Sequence, residues 1–256
     1  MNYFDFHKSV AVITGCSGGL GEQMARALAN QGCDIVLLAR REDKLKEIAE
    51  SIQNEYKVNT YPIFCDVTNT EVIDEVVKQI KNTIGKIDIL INNAGTGIVE
   101  SGENMSDEQF YNDINVDLFG TFRCCRSIAK HIMIPNKYGR IISISSMYGL
   151  VGNNVAPCVG YHSAKGGIIN MTRALAAEWA KYNITVNAIC PGYFMTDLTK
   201  STLETDDFKQ YASKTIPLGR YGHQKELDTS ILFLASKYSS YVTGSIIPVD
   251  GGYTCI

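Results

Sequence analysis

The segment GYHSAKGG, residues 160–167, places a phenol and an amine four residues apart, at Tyr161 and Lys165. On a helix, residues four apart leave the same face one turn apart, so the two side chains would be neighbours. An ammonium group lowers the pKa of a nearby phenol, which lets a tyrosine exchange protons closer to neutral pH. The spacing therefore predicts a proton-transfer pair, and the alternative is a surface tyrosine beside a surface lysine.

A second candidate site is the glycine-rich stretch TGCSGGLG, residues 14–21, which follows the apolar run KSVAVIT. A glycine-rich loop between a strand and a helix lets backbone amides approach a pyrophosphate, which the positive end of the helix dipole also attracts. The spacing GxxxGxG predicts a dinucleotide site formed by Gly15, Ser17, Gly19, Leu20 and Gly21.

The end of the second predicted strand indicates which dinucleotide binds. An NAD-binding chain usually has an acidic residue there, which accepts hydrogen bonds from the ribose hydroxyls. Here Ala39 takes that place, and the guanidinium groups of Arg40 and Arg41 suit a 2′-phosphate. The sequence therefore predicts NADP(H). The alternative is that both arginines cap a helix or lie in solvent, and Glu42 is close enough to leave NAD open.

Polar and small residues at the ends of later strands extend the predicted dinucleotide site. Asp66 ends the third strand beside Val67, where its carboxylate could accept from an adenine amino group or simply be solvated. Asn93, Ala94 and Gly95 end the fourth strand, where small residues and amides fit a backbone pressed against a ribose. A plain turn is the alternative there.

The elements that must position these residues alternate between strands and helices. Strands are predicted at 8–14, 34–39, 60–67, 87–95, 140–146, 184–192 and 245–252, and helices at 19–31, 42–54, 70–84, 107–132, 161–181 and 223–236. This order predicts an α/β fold in one domain, residues 1–256, with a doubly wound parallel sheet and helices on both faces. Binding sites in such sheets lie beyond the C-terminal strand ends, where the polar motifs fall.

The composition argues against several other classes of protein. The chain has 256 residues and a formal net charge of −3, which does not favour binding to nucleic acid or to an anionic membrane. No stretch approaches the roughly 18 apolar residues of a membrane helix, and the N-terminus is a poor signal peptide. We therefore expect a cytoplasmic protein whose eight cysteines are reduced. They are scattered without CxxC spacing, which predicts no metal site.

Together, these motifs resemble those of the short-chain dehydrogenase/reductase family over essentially the whole chain. The matching stretches are TGCSGGLG (14–21), Asp66, NNAG (92–95), Asn115 in DINVDLFGTF, ISS (144–146), YHSAK (161–165), NAICPG (187–192) and VDGG (249–252). The resemblance implies a single Rossmann-type domain, a homotetramer or homodimer, and hydride transfer between a nicotinamide dinucleotide and a secondary alcohol or ketone.

The resemblance also implies a role for each matched residue. Tyr161 would protonate the carbonyl oxygen as hydride arrives, and Lys165 would bind the nicotinamide ribose. Asn115 would hold a water that links Lys165 to solvent. Ser146 would hydrogen-bond the substrate oxygen, with Ser145 as the alternative. On the nicotinamide side, the resemblance implies contacts from Pro191, Gly192 and Thr196.

Two segments are predicted to surround the substrate. The number of residues between Ser146 and Tyr161 is slightly larger than is usual in the family. This indicates a small insertion within 153–159, near the substrate mouth. Residues 194–217 fall where the family has its substrate loop, and their polar sequence predicts a segment that is mobile until ligand closes it. His162 follows Tyr161 directly, and successive helical residues point apart, so we expect a structural role for it.

The closest subgroup resemblance is to gluconate 5-dehydrogenases. It rests on RIISISSMYGLVG (140–152), RALAAEWAKYNITVNAICPGYFMTDLT (173–199) and PLGRYG (217–222). It implies a sugar-acid substrate such as gluconate or 5-ketogluconate. A bile-acid-type hydroxysteroid dehydrogenase and a 3-oxoacyl-carrier-protein reductase remain alternatives, because both share the same framework. Aromatic residues near the mouth, such as Tyr148 and Tyr193, could pack a steroid. A dinucleotide-binding sensor without catalysis is the non-enzyme alternative.

Overall fold

A seven-stranded parallel sheet forms the centre of the computed structural model, which describes residues 2–196 and 199–256. The strands are β1 (Val10–Thr14), β2 (Asp34–Ala39), β3 (Thr60–Phe64), β4 (Ile89–Asn92), β5 (Gly139–Ile144), β6 (Ile184–Pro191) and β7 (Ile246–Val249). Their order is β3-β2-β1-β4-β5-β6-β7, and every neighbouring pair is parallel. The chain turns back across the sheet between β1 and β4, so the crevice for a ligand opens at their C-terminal ends.

Helices cover both faces of the sheet. They are α1 (Gly19–Ala29), α2 (Glu42–Tyr56), α3 (Thr70–Thr83), α4 (Asp107–Asp113), α5 (Gly120–Ile128), α6 (Ile134–Asn136), α7 (Val159–Trp179), α8 (Lys200–Leu203), α9 (Asp206–Thr215) and α10 (Asp228–Ala235). Alternate residues of β1 enter opposite cores, because side chains of a strand alternate between faces. Ala11 and Ile13 pack with α1, α2 and α10, and Val10 and Val12 pack with α3, α5 and α7. The predicted doubly wound α/β fold is confirmed.

The helix predicted at 107–132 differs from an ordinary α-helix. It runs from Asp107 to Asn136, and two wider π-helical turns, Ile114–Phe119 and Ala129–Met133, separate α4, α5 and α6. A π-helical turn holds more residues than an α-helical turn, so it shifts which side chains face the core. Hydrophobic periodicity did not reveal this, because the apolar stripe resumes on the same side at Cys124 and Ile128.

The predicted substrate loop is not an irregular segment. It carries α8 and α9, and Leu203, Phe208, Ala212 and Ile216 form a small apolar core of their own. The spacing of Phe208, Ala212 and Ile216 is helical, and Thr205 caps α9 by accepting a hydrogen bond from the Phe208 amide. Two residues of the segment, Asp197 and Leu198, lie outside the described residues.

Seven of the eight cysteines are buried, and Cys255 is the exposed one. Burial raises the pKa of the thiols of Cys65 and Cys125 to about 12. Within residues 2–196 and 199–256, no helix is both long enough and apolar enough to cross a membrane.

Candidate active site

The predicted phenol–amine pair lies on the first turns of α7. The helix begins at Val159, so Tyr161 and Lys165 leave the same face, and the Lys165 Nζ atom lies 5.3 Å from the centre of the Tyr161 ring. The ring packs against Gly97, where a Cβ atom would lie 3.1 Å from the Tyr161 Cδ2 atom. The structure therefore brings together the two groups that the spacing predicts, directly beyond the end of β4.

Two oxygen atoms hold the ammonium group of Lys165. Its Nζ donates to the Ile144 carbonyl oxygen at 3.0 Å and forms an ion pair with the Asp117 Oδ2 atom, also at 3.0 Å. The Lys165 side chain is 5% exposed and that of Asp117 is 0% exposed. Burial lowers the pKa of Lys165, but the charges of Asp117 and Tyr161 outweigh this effect and raise the pKa above its ordinary value. Lys165 is thus a fixed, fully charged group at neutral pH.

Asp117, rather than Asn115, is the residue that the structure brings to Lys165. Asp117 Oδ1 also accepts from the Thr96 amide at 2.7 Å, which ties the end of β4 to the helix. The side-chain oxygen of Asn115 accepts from Arg123 at 2.9 Å, and Arg123 also donates to the Asn115 carbonyl oxygen. Residues two apart on a helix point in different directions, so both cannot face one lysine. The water-holding role of Asn115 stays a prediction from resemblance.

The sequence held a signal for Asp117 that the motif match passed over. Asp113 and Asp117 are four residues apart and continue the stripe of Cys124 and Ile128, and all four side chains are buried. A carboxylate is rarely buried without a partner, so an acidic residue on an apolar stripe indicates a buried ion pair or a catalytic site.

The two candidate serines follow β5 and make different contacts. Ser145 Oγ donates to the Lys165 carbonyl oxygen at 2.8 Å, so its proton is engaged in packing α7. Ser146 Oγ accepts from the Tyr148 amide at 3.1 Å, which leaves its own proton for another acceptor. Close packing of this turn on α7 requires Gly149, where a Cβ atom would lie 2.8 Å from the Lys165 carbonyl. This geometry fits Ser146 to a substrate oxygen better than Ser145.

The glycine loop is shaped by contacts that exclude side chains. A Cβ atom at Gly15, where φ is +67°, would lie 2.8 Å from the Ala94 Cα atom, and one at Gly21 would collide with the Gly15 carbonyl oxygen. Gly18 precedes α1 and has no side chain, so it does not cap the first amides of the helix. Gly19 and Leu20 form the first turn of that helix. The uncapped start of α1 and the close backbone approach fit a pyrophosphate.

Arg41 reaches from the start of α2 to the glycine loop. Its guanidinium donates to the Ser17 hydroxyl at 3.0 Å and to the Ser17 carbonyl oxygen at 2.9 Å, so it does not cap α2 through its side chain. Arg40 is exposed beside it. The end of β2 therefore carries two cations, one of which is bound to the loop, at the place where the ribose of a dinucleotide would lie.

Asp66 and Asn93 brace the edge of the crevice. Asp66 Oδ1 accepts from the amide and hydroxyl of Thr68. Burial raises the pKa of Asp66, but these hydrogen bonds and the charge of Arg40 lower it by more. The pKa is therefore below its ordinary value, and the carboxylate is ionised at neutral pH. Asn93 donates to the carbonyl oxygens of Thr14 and Gly15, at 3.2 and 3.1 Å, and so joins β4 to the glycine loop.

The remaining predicted cofactor contacts line the same crevice. Val67 is buried three residues beyond β3, Ala94 donates through its amide to the Thr14 hydroxyl, and Gly95 lies against Asp117 and Lys165. Pro191 ends β6, and the Gly192 amide donates to the Val249 carbonyl oxygen. The Thr196 methyl group lies 3.6 Å from a Cβ atom built on Gly19. The residues present therefore fit a dinucleotide laid across the ends of β1, β4 and β6.

A cluster of five aromatic rings, here called the aromatic wall, begins two residues after Ser146. It consists of Tyr148, Tyr193, Phe208, Tyr211 and Tyr253. The hydroxyls of Tyr148 and Tyr193 are 2.6 Å apart, and those of Tyr211 and Tyr253 are 3.1 Å apart. Burial raises the pKa of Tyr148 to about 12, so its hydroxyl stays protonated at neutral pH. His162 stacks on Tyr148 with ring centres 4.6 Å apart, which agrees with a structural role.

No group of three or more metal-ligating side chains converges among the residues that the structure describes.

Comparisons with known proteins find relatives that match this chain over nearly its whole length. The family model described as enoyl-(acyl carrier protein) reductase matches residues 15–254. A 3-oxoacyl-(acyl-carrier-protein) reductase of Aquifex aeolicus is 35% identical over 95% of this chain and 96% of that protein. An NAD-dependent glycerol dehydrogenase of Listeria innocua is 36% identical over 98% of this chain and 96% of that protein. A gluconate 5-dehydrogenase from Burkholderia cenocepacia, crystallised in complex with NADP and tartrate, has a TM-score of 0.94 at 31% identity and covers 99% of this chain and 98% of its own.

Proposed function

Because the chain belongs to the short-chain dehydrogenase/reductase family and is an oxidoreductase acting on CH–OH groups, we propose that it interconverts a secondary alcohol and a ketone with NADP(H). The observation that carries the proposal is the pair of Tyr161 and a buried, charged Lys165 beside a dinucleotide crevice. When bound, the dinucleotide supplies or accepts the hydride, and the protein supplies placement and charge.

In this proposal Tyr161 is the proton donor for ketone reduction and the proton acceptor for alcohol oxidation. The ammonium group of Lys165 stabilises the phenolate that remains after Tyr161 donates. Ser146 donates a hydrogen bond to the substrate oxygen, on which negative charge develops in the transition state. Because its hydroxyl accepts from the Tyr148 amide, its proton is directed away from that amide.

The preference for NADP(H) rests on Arg40 and Arg41. No acidic side chain follows β2 directly, and the guanidinium of Arg41 already lies over Ser17 of the loop. A 2′-phosphate would gain charge-assisted hydrogen bonds from these groups, whereas NAD has no phosphate there. The gluconate 5-dehydrogenase crystallised with NADP supports this preference, and the NAD-dependent glycerol dehydrogenase keeps NAD as the competing candidate.

For the substrate we propose a sugar acid such as gluconate or 5-ketogluconate. The gluconate 5-dehydrogenase neighbour supports this, and the aromatic wall offers hydroxyls to a substrate with several hydroxyl groups of its own. Two other substrate classes have support. The 3-oxoacyl-(acyl-carrier-protein) reductase relative favours a 3-oxoacyl thioester, and the apolar ring faces of the wall favour a hydroxysteroid.

A substrate panel tests the proposal. The purified protein is incubated with NADPH or NADH and 5-ketogluconate, an acetoacetyl thioester or a ketosteroid, and the loss of reduced nicotinamide is followed by absorbance. We expect the highest kcat/KM with 5-ketogluconate and NADPH. Higher kcat/KM with either other ketone would replace the sugar acid, and higher kcat/KM with NADH would remove the NADP preference. Tight NADPH binding without turnover of any ketone or alcohol would favour the dinucleotide-binding sensor.

We further propose that residues 1–256 act as one catalytic unit in a cytoplasmic homotetramer or homodimer. Light scattering coupled to size-exclusion chromatography measures the subunit number directly, and a monomeric mass at working concentration would contradict this part of the proposal.

A further inference from the structure

A buried carboxylate beside the catalytic lysine is the feature of the site that the motif match did not assign. Asp117 lies in the π-helical turn after α4, and its Oδ2 atom is 3.0 Å from Lys165 Nζ. Asp113, one turn earlier, is equally buried, but its Oδ2 atom accepts from the Ile98 amide at 3.3 Å. One of two similar carboxylates is therefore directed at the lysine, and the other at the backbone.

We propose that Asp117 is a positioning residue that keeps the buried Lys165 ammonium charged and fixed beside Tyr161. The part that concerns Tyr161 rests on the proposed function, while the ion pair itself can be tested without substrate. The carboxylate acts through the lysine and is not expected to touch the substrate.

The physical reason is the cost of burying an unpaired charge. A buried ammonium group without a counter-ion loses its proton at a much lower pH than an exposed one. The Ile144 carbonyl oxygen accepts one hydrogen bond from Nζ but carries no full charge. In this structure Asp117, through its charge and its hydrogen bond, makes the main contribution against the effect of burial, with a further contribution from Tyr161, and the pKa of Lys165 is raised. Without that carboxylate, burial dominates and the ammonium group becomes titratable.

The other titratable groups that face Lys165 do not replace Asp117. Tyr161 lies on the same helix and exchanges its own proton during the proposed reaction. Burial raises the pKa of the Cys190 thiol on β6 to about 11, so it is neutral at the pH of the assay. Burial, together with the charge of Asp117, raises the pKa of Asp113, and that carboxylate is bound to Ile98.

Asp117→Asn separates the charge from the shape of the side chain. The amide oxygen of the variant can still accept from the Thr96 amide, so the tie between β4 and the helix is retained while the negative charge is lost. Asp113→Asn is the matched control, since it makes the same change at a buried position of the same helix away from the ion pair.

The first experiment measures thermal unfolding of the cofactor-free protein between about pH 7 and pH 10. In the wild type the folded-state pKa of Lys165 is raised, so its stabilising contribution is present below the unfolded value of about 10.4 and is lost only as the pH rises through the folded value. In Asp117→Asn the pKa of Lys165 in the folded state should fall below its pKa in the unfolded state. The unfolded state then binds more protons, so the stability of the variant should increase with pH. We therefore expect the Tm deficit of the variant to be largest near pH 7 and to shrink toward pH 10.

A purely structural role predicts a Tm deficit of constant size, and that result would overturn the proposal. Asp113→Asn should show such a constant deficit. If Asp117→Asn does not fold, the double variant Asp117→Asn/Lys165→Met, which carries no unpaired charge, should fold and show a constant deficit. Failure of both to fold would also count against the proposal, since it would make the shape of Asp117 indispensable.

The second experiment measures the pH dependence of kcat for alcohol oxidation. Loss of the Lys165 charge should end activity at alkaline pH, so Asp117→Asn should move the alkaline limb to lower pH by about one unit or more, and Asp117→Glu should restore part of this shift. A shift produced by Asn115→Ala and not by Asp117→Asn would return the role to Asn115 and overturn the proposal. If the wild type turns over no alcohol, the proposed function fails, while the unfolding experiment still decides the role of Asp117.

Discussion

Alanine at Ser145 or Ser146 separates the hydroxyl that packs the site from the hydroxyl that we assign to the substrate. Ser145 donates to the Lys165 carbonyl oxygen inside the core, and Ser146 accepts from the Tyr148 amide. Both side chains are buried, at 2% and 7% exposed. The two variants therefore remove the same chemical group from adjacent positions that differ in what the proton of that group contacts.

The expected losses of stability are similar for the two variants. Each removes one buried hydrogen bond, which costs about 1 kcal/mol of the free energy of unfolding. For a chain of this length that corresponds to a decrease in Tm of about 2–4 °C. A difference in activity between two equally destabilised variants then reports on the chemistry and not on folding.

The expected losses of activity are different. Removing a hydrogen-bond donor from the oxygen that gains charge in the transition state lowers kcat by about 10²–10³, and we expect this for Ser146→Ala. Ser145→Ala should lose less than about tenfold, because only the packing of α7 is disturbed. The assay is kcat and KM for ketone reduction at saturating NADPH, with thermal unfolding of each variant measured in parallel. A larger loss of kcat in Ser145→Ala than in Ser146→Ala would reverse the assignment.

Three further predictions follow from the same site. Tyr161→Phe should abolish turnover while NADPH affinity, measured by fluorescence titration, stays within a few fold; wild-type activity would exclude Tyr161 as proton donor. Arg40→Ala should weaken NADP(H) by about 10- to 150-fold, from about 1.5–3 kcal/mol for a charge-assisted contact, and NAD(H) far less; equal losses in calorimetric titrations would remove the 2′-phosphate argument. Gly15→Ala should lower Tm more than Gly85→Ala, because both have positive φ but only Gly15 has backbone within 3 Å of the new Cβ atom; equal melting temperatures would contradict this.

The sheet and the strand-end motifs could be predicted from the sequence because both depend on local patterns. Continuous apolar runs such as residues 35–39 mark strands covered on both faces, and the bounds of β2, Asp34–Ala39, agree with the prediction. The C-terminal ends of parallel strands meet at one edge of the sheet, so Thr14, Asn93 and Ser146 could be placed near one another before their contacts were known. The four-residue spacing of Tyr161 and Lys165 needed only a helix to bring them together.

Other parts of the site depend on contacts that no local pattern encodes. Asp117 contacts Lys165 from within a π-helical turn. The burial of Asp117 could be inferred from its place on the apolar stripe, but neither that stripe nor the motif match to Asn115 names Lys165 as its partner. The pairing of Tyr211 with Tyr253 joins residues far apart in the chain, so the aromatic wall becomes visible only in the folded structure. The helical spacing of Phe208 and Ala212, in contrast, was present in the sequence and indicates α9.

The burial of seven cysteines makes the eighth a natural attachment point for a reporter group. Cys255 is exposed and lies two residues beyond Tyr253, whose hydroxyl meets Tyr211 on α9. A maleimide dye should therefore label the described chain at one position, next to the helix that borders the candidate substrate mouth. Its emission offers a way to follow ligand-linked rearrangement of α9 in solution without introducing or removing a single residue.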